Sequence, residues 1–428
     1  MKDFIILGAS GDLTKKKLIP AIYQNYKNQN FTCRYIGFGR KEIQNYQQIV
    51  RESIDKRDRN FEEKFTYIQG QYDSKGFQNL KNLNLSEDRI FYLALPIHHD
   101  LLESILKGLK DNNLLNNTTT IAIEKPFGTD LKTAQRLIDL LNEYLDEEQI
   151  FLVDHYLAKD LVRNLISLRF ANPIFSKIWN RENIQKIEII TKENTGIENR
   201  GEYYDKSGAI KDMIQNHVLQ VLSLVTMETP KNINSSSLSK QKNAILKKIA
   251  ISTDIKKSVE LGQYIGYLEE EHIEKNSLTE TYARLNIEVK NKEWRDVPIT
   301  LETGKRLDEK RTEIKIYFNS DANCIWEDNC TLITSNVLTI NLYPENNIVL
   351  SFNSAFNPSQ EFPIKKDLIF SLNTNEKNLL PYANTLVDIY NHDRTYTPSY
   401  DEILLSWKFI DELLHKISPI RKDILKRY

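Results

Sequence analysis

The first thirty residues limit the fold more than any other stretch. Residues 3–7 read as a buried strand, Gly8-Ala9-Ser10-Gly11-Asp12-Leu13 as a turn, and residues 14–26 as a helix. Strand, glycine turn and helix together aim backbone N–H groups and a helix N-terminus at a phosphate. Gly8 and Gly11 let the backbone come close to a diphosphate. The full G-x-G-x-x-G pattern is missing, and no Gly-Lys-Ser/Thr follows at the spacing of a P-loop.

The next strand, residues 34–38, ends in Gly39-Arg40-Lys41. An acidic residue here would hold a ribose 2′-OH, whereas a basic one accommodates a 2′-phosphate. Arg40, with Lys41 and Thr14, therefore points to NADP, and Glu42 nearby keeps NAD as a second choice. Buried strands over 89–95 and 118–123 follow, with amphipathic helices over 99–110 and 130–144. Alternating strands and helices predict a Rossmann-type doubly wound parallel sheet, with ligands at the carboxyl ends of its strands. Lys125, in Glu124-Lys125-Pro126-Phe127-Gly128, sits at such an end, within reach of cofactor and substrate alike. Pro126 is a candidate for a cis peptide. His98-His99-Asp100 does not read as a metal site, because adjacent histidines on a helix diverge and no third ligand is evident.

Further on, residues 151–153 form a strand that delivers Asp154 and His155 to the same edge as Lys125. Lys159 follows His155 by one helical turn, and Tyr156 adds a phenolic donor. Residues 208–227 read as one helix with an apolar stripe through Ile210, Ile214, Val218, Val221, Leu222 and Val225. Asp212, Asn216 and Gln220 recur on another face, with His217 beside them. Clustered basic and imidazole groups suit an anionic substrate, and an Asp–His pair suits proton abstraction.

The rest of the chain reads differently. Residues 229–242 and 269–276 are expected to be exposed loops. Alternation over 285–289, 312–318, 337–342 and 348–352 predicts strands of a half-exposed antiparallel sheet. A last helix over 401–416 turns Trp407, Phe409 and Leu413 inward. The expected architecture is thus α/β plus α+β: a Rossmann-type domain over 1–154, then a domain with a large, mainly antiparallel sheet and helices over 155–428. At 428 residues the chain exceeds a single core. Its 58 basic and 59 acidic residues leave a net charge of −1, which suggests neither a nucleic-acid nor a membrane partner. The short apolar run at the start, followed at once by Asp12 and Lys15 to Lys17, does not make a signal peptide. Cys33, Cys324 and Cys330 form no metal-like array and fit free thiols in a reducing, cytoplasmic setting, although Cys324 and Cys330 are close enough in sequence to meet.

These motifs together resemble the glucose-6-phosphate 1-dehydrogenase family over nearly the whole chain. The resemblance is carried by residues 8–13, 124–128, Asp154-His155-Tyr156-Leu157-Ala158-Lys159, Asp205 to Gly208, Lys211 to His217, Gly304-Lys305-Arg306-Leu307 and Trp407 to Asp411. It implies that His217 removes the proton of the sugar C1 hydroxyl and that Asp154 orients His217. It implies that His155, Tyr156 and Lys159 receive the phosphate of glucose 6-phosphate. Lys125 would touch both sugar and nicotinamide; Glu193, Asp212 and Lys305 would be further sugar contacts, and Lys310 occupies a position that is basic in relatives. Gly8, Ser10, Gly11, Asp12, Leu13, Thr14, Arg40 and Lys125 would serve NADP, with no metal. A homodimer or dimer of dimers through the second sheet is implied too. The chain departs from the family at Ala158, where glycine is usual, at Asp160, where Glu or Gln is usual, and at Tyr343, where glutamine is common. Glu302 and Asn341 stand where animal relatives carry arginines for a second, structural NADP, so that site is expected to be absent. The rival readings are another sugar oxidoreductase sharing Glu-Lys-Pro, or a non-catalytic dinucleotide-binding regulator; the latter predicts loss of Asp154 or His217, and both are present.

Overall fold

A computed structural model describes residues 2–251, 254–320, 334–354, 363–371 and 380–428. Cys324 and Cys330 lie outside the described residues. The chain divides into two compact units, each discontinuous in sequence. The first comprises 1–159, 230–240 and 378–407; the second comprises 160–229, 241–377 and 408–428.

The first unit is built on six parallel strands: β1 (Lys2–Leu7), β2 (Cys33–Gly39), β3 (Phe65–Gln69), β4 (Arg89–Leu93), β5 (Thr120–Glu124) and β6 (Ile150–Val153). Their spatial order is β3-β2-β1-β4-β5-β6. The central strands are apolar along both faces because helices cover both faces of a parallel sheet. Local chemistry starts the helices where the sequence predicts them. Asp130 and Thr133 form a reciprocal cap at the start of Leu131–Asn142. His98 accepts the Leu101 N–H and so caps His99–Asp111, which gives that histidine a structural role. The buried Cys33 thiol is pushed up to about 12 by desolvation. A late segment completes this unit. The helix Pro381–Tyr390 buries Ala383, Leu386 and Ile389 in the core that holds Phe4, Tyr35 and Tyr92.

The second unit contains a large mixed sheet: β7 (Ile184–Lys192), β8 (Ile249–Ile251), β9 (Val259–Gln263), β10 (Tyr282–Val289), β11 (Ile299–Gly304), β12 (Arg311–Phe318), β13 (Val337–Tyr343), β14 (Asn347–Ser354), β15 (Ile364–Ser371) and β16 (Leu425–Arg427). The main path runs β15-β14-β13-β12-β7-β11-β10-β9-β16, with β8 beside β10. Most pairs are antiparallel, but β7 pairs β11, and β9 pairs β16, in parallel.

Two expectations are corrected. Residues 229–242 are not one exposed loop: the helix Ser235–Leu246 occupies much of the stretch, and Asn234 accepts the Ser237 N–H at its start. Its Asn/Ser composition masks widely spaced apolar residues, of which Leu238, Ile245 and Leu246 are buried. Residues 208–227 are not one regular helix either. A helix Gly201–Ala209 bends at Gly208, whose φ is 64°. A π-wound segment, Ile210–Val218, follows and runs into Leu219–Thr226.

Candidate active site

The glycine turn after β1 is shaped by close approach. Gly8 has φ 92°, and a Cβ there would lie 2.4 Å from the Ala94 carbonyl oxygen beyond β4. Only glycine accepts that conformation without strain. The Gly11 N–H donates to the Gly8 carbonyl at 2.9 Å, and the Thr14 hydroxyl donates to the same oxygen at 3.0 Å. The helix that follows, Thr14–Leu18 continuing as Ile19–Lys27, starts without a side-chain cap. The Lys15 N–H donates to the Gly11 carbonyl at 3.1 Å, so the winding begins in the glycine turn itself. The turn stands where the strand order reverses, between β1 and β4, the usual crevice for a dinucleotide. Ser10 and Leu13 are partly exposed, and Asp12 is exposed and paired with Lys16 at 2.9 Å. Arg40 is exposed at the end of β2, with its guanidinium 5.8 Å from the centre of the Tyr72 ring. This cradle fits a dinucleotide diphosphate, and Arg40 suits an added phosphate.

In the same unit the ends of β5 and β6 bring Lys125 and Asp154 together. The Lys125 ammonium donates to Asp154 Oδ2 at 2.8 Å, with the two side chains 7% and 0% exposed. The adjacency follows from parallel register, in which Glu124 lies opposite Val153, so the next residues emerge side by side. The peptide before Pro126 is cis, as expected. Asp154 Oδ1 accepts the Tyr156 N–H at 2.9 Å, which tightens the turn after β6. His155 and Tyr156 meet edge to face at 5.0 Å, and the Lys159 ammonium lies 4.4 Å from the centre of the Tyr156 ring. Imidazole, phenol and ammonium are thus gathered on one short segment.

Residues outside the sequence reading support this segment. The Asn384 amide donates to the Ala158 carbonyl at 2.9 Å. Tyr382 places its ring parallel to His155, with 6.2 Å between centres. Its hydroxyl donates to Glu124 Oε2 at 3.5 Å, and the Tyr92 hydroxyl donates to Glu124 Oε1. Burial pushes the Glu124 carboxyl up to about 7. No local pattern marks Tyr382 or Asn384, because they lie more than 220 residues away in sequence.

The second unit carries the other predicted residues. Asp212 and His217 are buried on the π-wound segment. In such winding an amide bonds the carbonyl five residues back, as the Leu219 N–H does with Ile214. Positions 212 and 217 therefore fall about one turn apart, whereas regular α-helical spacing would splay them. Asp212 Oδ1 accepts from Arg200 at 3.1 Å and from the Tyr203 hydroxyl at 3.2 Å; neither partner was signalled by the sequence. The supposed polar face is itself buried, since Asn216 and Gln220 are 4% and 1% exposed.

Both ends of this helix are fixed within its unit. At the start, the Ile210 N–H donates to Glu280 Oε1 at 3.1 Å, and Arg421 donates to Glu280 Oε2 at 2.6 Å. At the end, Arg169 donates to the Leu224 and Met227 carbonyls at 2.5 and 2.6 Å. Trp179 and Trp294 donate to the Val225 and Thr226 carbonyls. Terminal carbonyls that the helix cannot satisfy are thus all engaged.

Glu193 and Lys305 are joined by an ion pair just beyond the ends of β7 and β11. Parallel register again explains the meeting, with Lys192 opposite Gly304. Lys310 lies near Tyr343, its ammonium 4.8 Å from the ring centre. Glu302 pairs with Lys192 at 3.1 Å, and Asn341 donates to Asn347 at 2.7 Å, so both are engaged locally.

A glycine cradle at the reversal of a parallel sheet, with a buried lysine–carboxylate pair at its strand ends, defines a dinucleotide-binding oxidoreductase. Comparison with known proteins makes the class specific. Residues 5–164 match the glucose-6-phosphate dehydrogenase NAD binding domain, and residues 166–428 match the glucose-6-phosphate dehydrogenase C-terminal domain. The chain belongs to the glucose-6-phosphate dehydrogenase family. It is 36% identical to glucose-6-phosphate 1-dehydrogenase of Borreliella burgdorferi, covering 98% of this chain and 92% of that protein. It is 33% identical to that of Chlamydia muridarum, covering 97% and 90%. A solved glucose-6-phosphate dehydrogenase in complex with glucose 6-phosphate superposes with a TM-score of 0.91 at 31% identity, covering 100% of this chain and 94% of that one.

Proposed function

We propose that this protein is an NADP-preferring glucose-6-phosphate 1-dehydrogenase that converts glucose 6-phosphate to 6-phosphoglucono-1,5-lactone, the first oxidative step of the pentose phosphate route. The observation that carries the reading is the presence of Lys125, Asp154, His155, Tyr156, Lys159, Asp212 and His217 in a chain of this family. His217 takes the proton from the C1 hydroxyl, and Asp154 orients its imidazole and stabilises the protonated form. As that proton leaves, the C1–O bond becomes a carbonyl and C1 releases its hydrogen with the bonding electrons. NADP, when bound, supplies the acceptor for that hydride. Gly8, Ser10, Gly11, Asp12, Leu13 and Thr14 would hold its diphosphate, Arg40 its 2′-phosphate, and Lys125 would reach the nicotinamide and the sugar.

His155, Tyr156 and Lys159 grip the sugar phosphate, a charge-rich handle remote from C1 that helps to position the reacting carbon. Glu193, Asp212, Lys305 and Lys310 serve the sugar and its surroundings. The proposed division of labour assigns 1–154 to the cofactor and 155–428 to substrate and dimerisation, although the compact units exchange 155–159, 230–240 and 378–407 into the first. A cytoplasmic location fits the near-neutral charge, and no helix among the described residues is long and apolar enough to cross a membrane.

A homodimer through the large sheet is supported by β15, where Leu368, Ile369 and Phe370 are 62%, 58% and 60% exposed. A run of exposed apolar residues on an edge strand is a liability unless a partner covers it. Light scattering that returns a monomer mass at micromolar concentration would remove the dimer.

The activity is tested by following reduced-nicotinamide absorbance with glucose 6-phosphate, in parallel with NADP, NAD and unphosphorylated glucose. Reduction that is fast with the phosphorylated sugar and faster with NADP is expected. Equal rates with glucose would sink the phosphate site, and a preference for NAD would remove Arg40 as the deciding residue.

A further inference from the structure

Glu124 is a buried ionisable group next to Lys125 that the proposed reaction does not itself use. It leaves the end of β5 beside Lys125 and receives hydroxyl groups from two elements, Tyr92 on β4 and Tyr382 on the helix Pro381–Tyr390. The charged neighbours that bear on it are Lys125, which favours its ionised form, and Asp154, which opposes it. Tyr382 in turn lies parallel to His155, and Asn384 on the same helix holds the Ala158 carbonyl. One helix therefore braces the segment 155–159 at two points, and Glu124 is the acceptor that fixes its tyrosine.

We propose that Glu124 is a positioning residue for the phosphate-gripping segment 155–159, acting through Tyr382, and that its ionisation sets how tightly that segment holds a phosphate dianion. The inference rests on the reading of His155, Tyr156 and Lys159 as the phosphate site. Its physical basis is acceptor strength: the ionised carboxylate accepts from both tyrosine hydroxyls and those bonds favour its ionised form, whereas the protonated acid accepts more weakly and loosens the brace. The carboxyl, held near 7 by burial, changes charge within the working range. Above that value it is ionised and holds Tyr382 best; as pH falls through it, the weaker acceptor loosens the segment and the KM for the phosphorylated sugar rises.

The test compares KM for glucose 6-phosphate at pH 6.5 and 8.0 in the unaltered enzyme, Glu124→Gln and Tyr382→Phe, with KM for NADP as the control. The ratio of the sugar-phosphate KM at pH 6.5 to that at pH 8.0 should be roughly three- to tenfold smaller in Glu124→Gln. Little change in kcat and none in the NADP KM are expected alongside. Tyr382→Phe, which keeps the ring and loses the hydroxyl, should raise the sugar-phosphate KM at both pH values and leave kcat close to normal. Glu124→Asp should restore part of the pH dependence. Parallel pH curves for the unaltered enzyme and Glu124→Gln would overturn the proposal. If Glu124→Gln does not fold, Tyr382→Phe decides alone, and an unchanged KM there overturns it. Lys159→Ala separates the two layers: a raised KM in that variant with parallel Glu124 curves leaves the phosphate site standing and removes only Glu124. An unchanged KM in Lys159→Ala removes both.

Discussion

The strand-borne residues of the first unit and the helix-borne residues of the second are fixed by different physics. Lys125 and Asp154 emerge side by side from neighbouring parallel strands and are held by a buried ion pair of 2.8 Å. Their geometry is set by register, and their charges neutralise each other. Asp212 and His217 ride on a π-wound segment whose ends are tied by Glu280 at the start and by Arg169, Trp179 and Trp294 at the finish. Their geometry is set by winding and by caps many residues away. The comparison teaches that strand-end residues are placed by short-range pairing, whereas the helix needs a distributed anchor to hold an energetically uncommon winding.

The largest expected effect tests whether the helix carries the chemistry. His217→Asn should lower kcat by about 10²–10⁴-fold, the usual contribution of a general acid–base group, with little change in the KM for glucose 6-phosphate. Near-normal turnover would move proton abstraction off the helix. The next effect tests the anchor. Arg169→Leu removes the donors to the Leu224 and Met227 carbonyls and should cost roughly 2–5 kcal/mol of unfolding free energy in urea melts. A loss below about 0.5 kcal/mol would mean that the tryptophans alone hold the helix end.

The smallest effect tests the strand-end side through pH. The Glu124 carboxyl is raised by burial from 4.5 to about 7 in the folded protein. The folded state therefore binds the extra proton between those values. This contribution to stability is fully present below the unfolded value of 4.5 and is lost as pH rises through about 7. Relative to Glu124→Gln, the unaltered protein should lose on the order of 1–3 kcal/mol between pH 4.5 and 7.5. Identical stability profiles for the two proteins would show that Glu124 ionises without cost.

Much of the first unit was legible in residue order alone. Buried strands, the Gly8 turn and the Lys125 and Asp154 strand ends all depend on neighbours within a few residues, and local patterns record such neighbours. The second unit was less legible for the same reason. Strands β7, β11 and β15 did not stand out, and the helix Ser235–Leu246, which starts in the first unit and ends in the second, hid under a polar composition that reads as loop. Gly208 read as the first residue of a helix, whereas its positive φ bends one already begun at Gly201 and serves a fit against Glu280, 72 residues further along.

The sequence by itself determined the family and the Rossmann-type sheet, and it named the residues proposed to grip a phosphate and the acid–base candidates Asp154 and His217. Those depend on which chemical groups are present and on their short-range spacing. Only the tertiary structure decided that Lys125 neutralises Asp154, that π winding stacks position 217 over 212, and that Tyr382 links Glu124 to the neighbourhood of His155. Each of these joins residues through strand register, helix winding or packing between segments distant in sequence, and none of these leaves a local pattern to read.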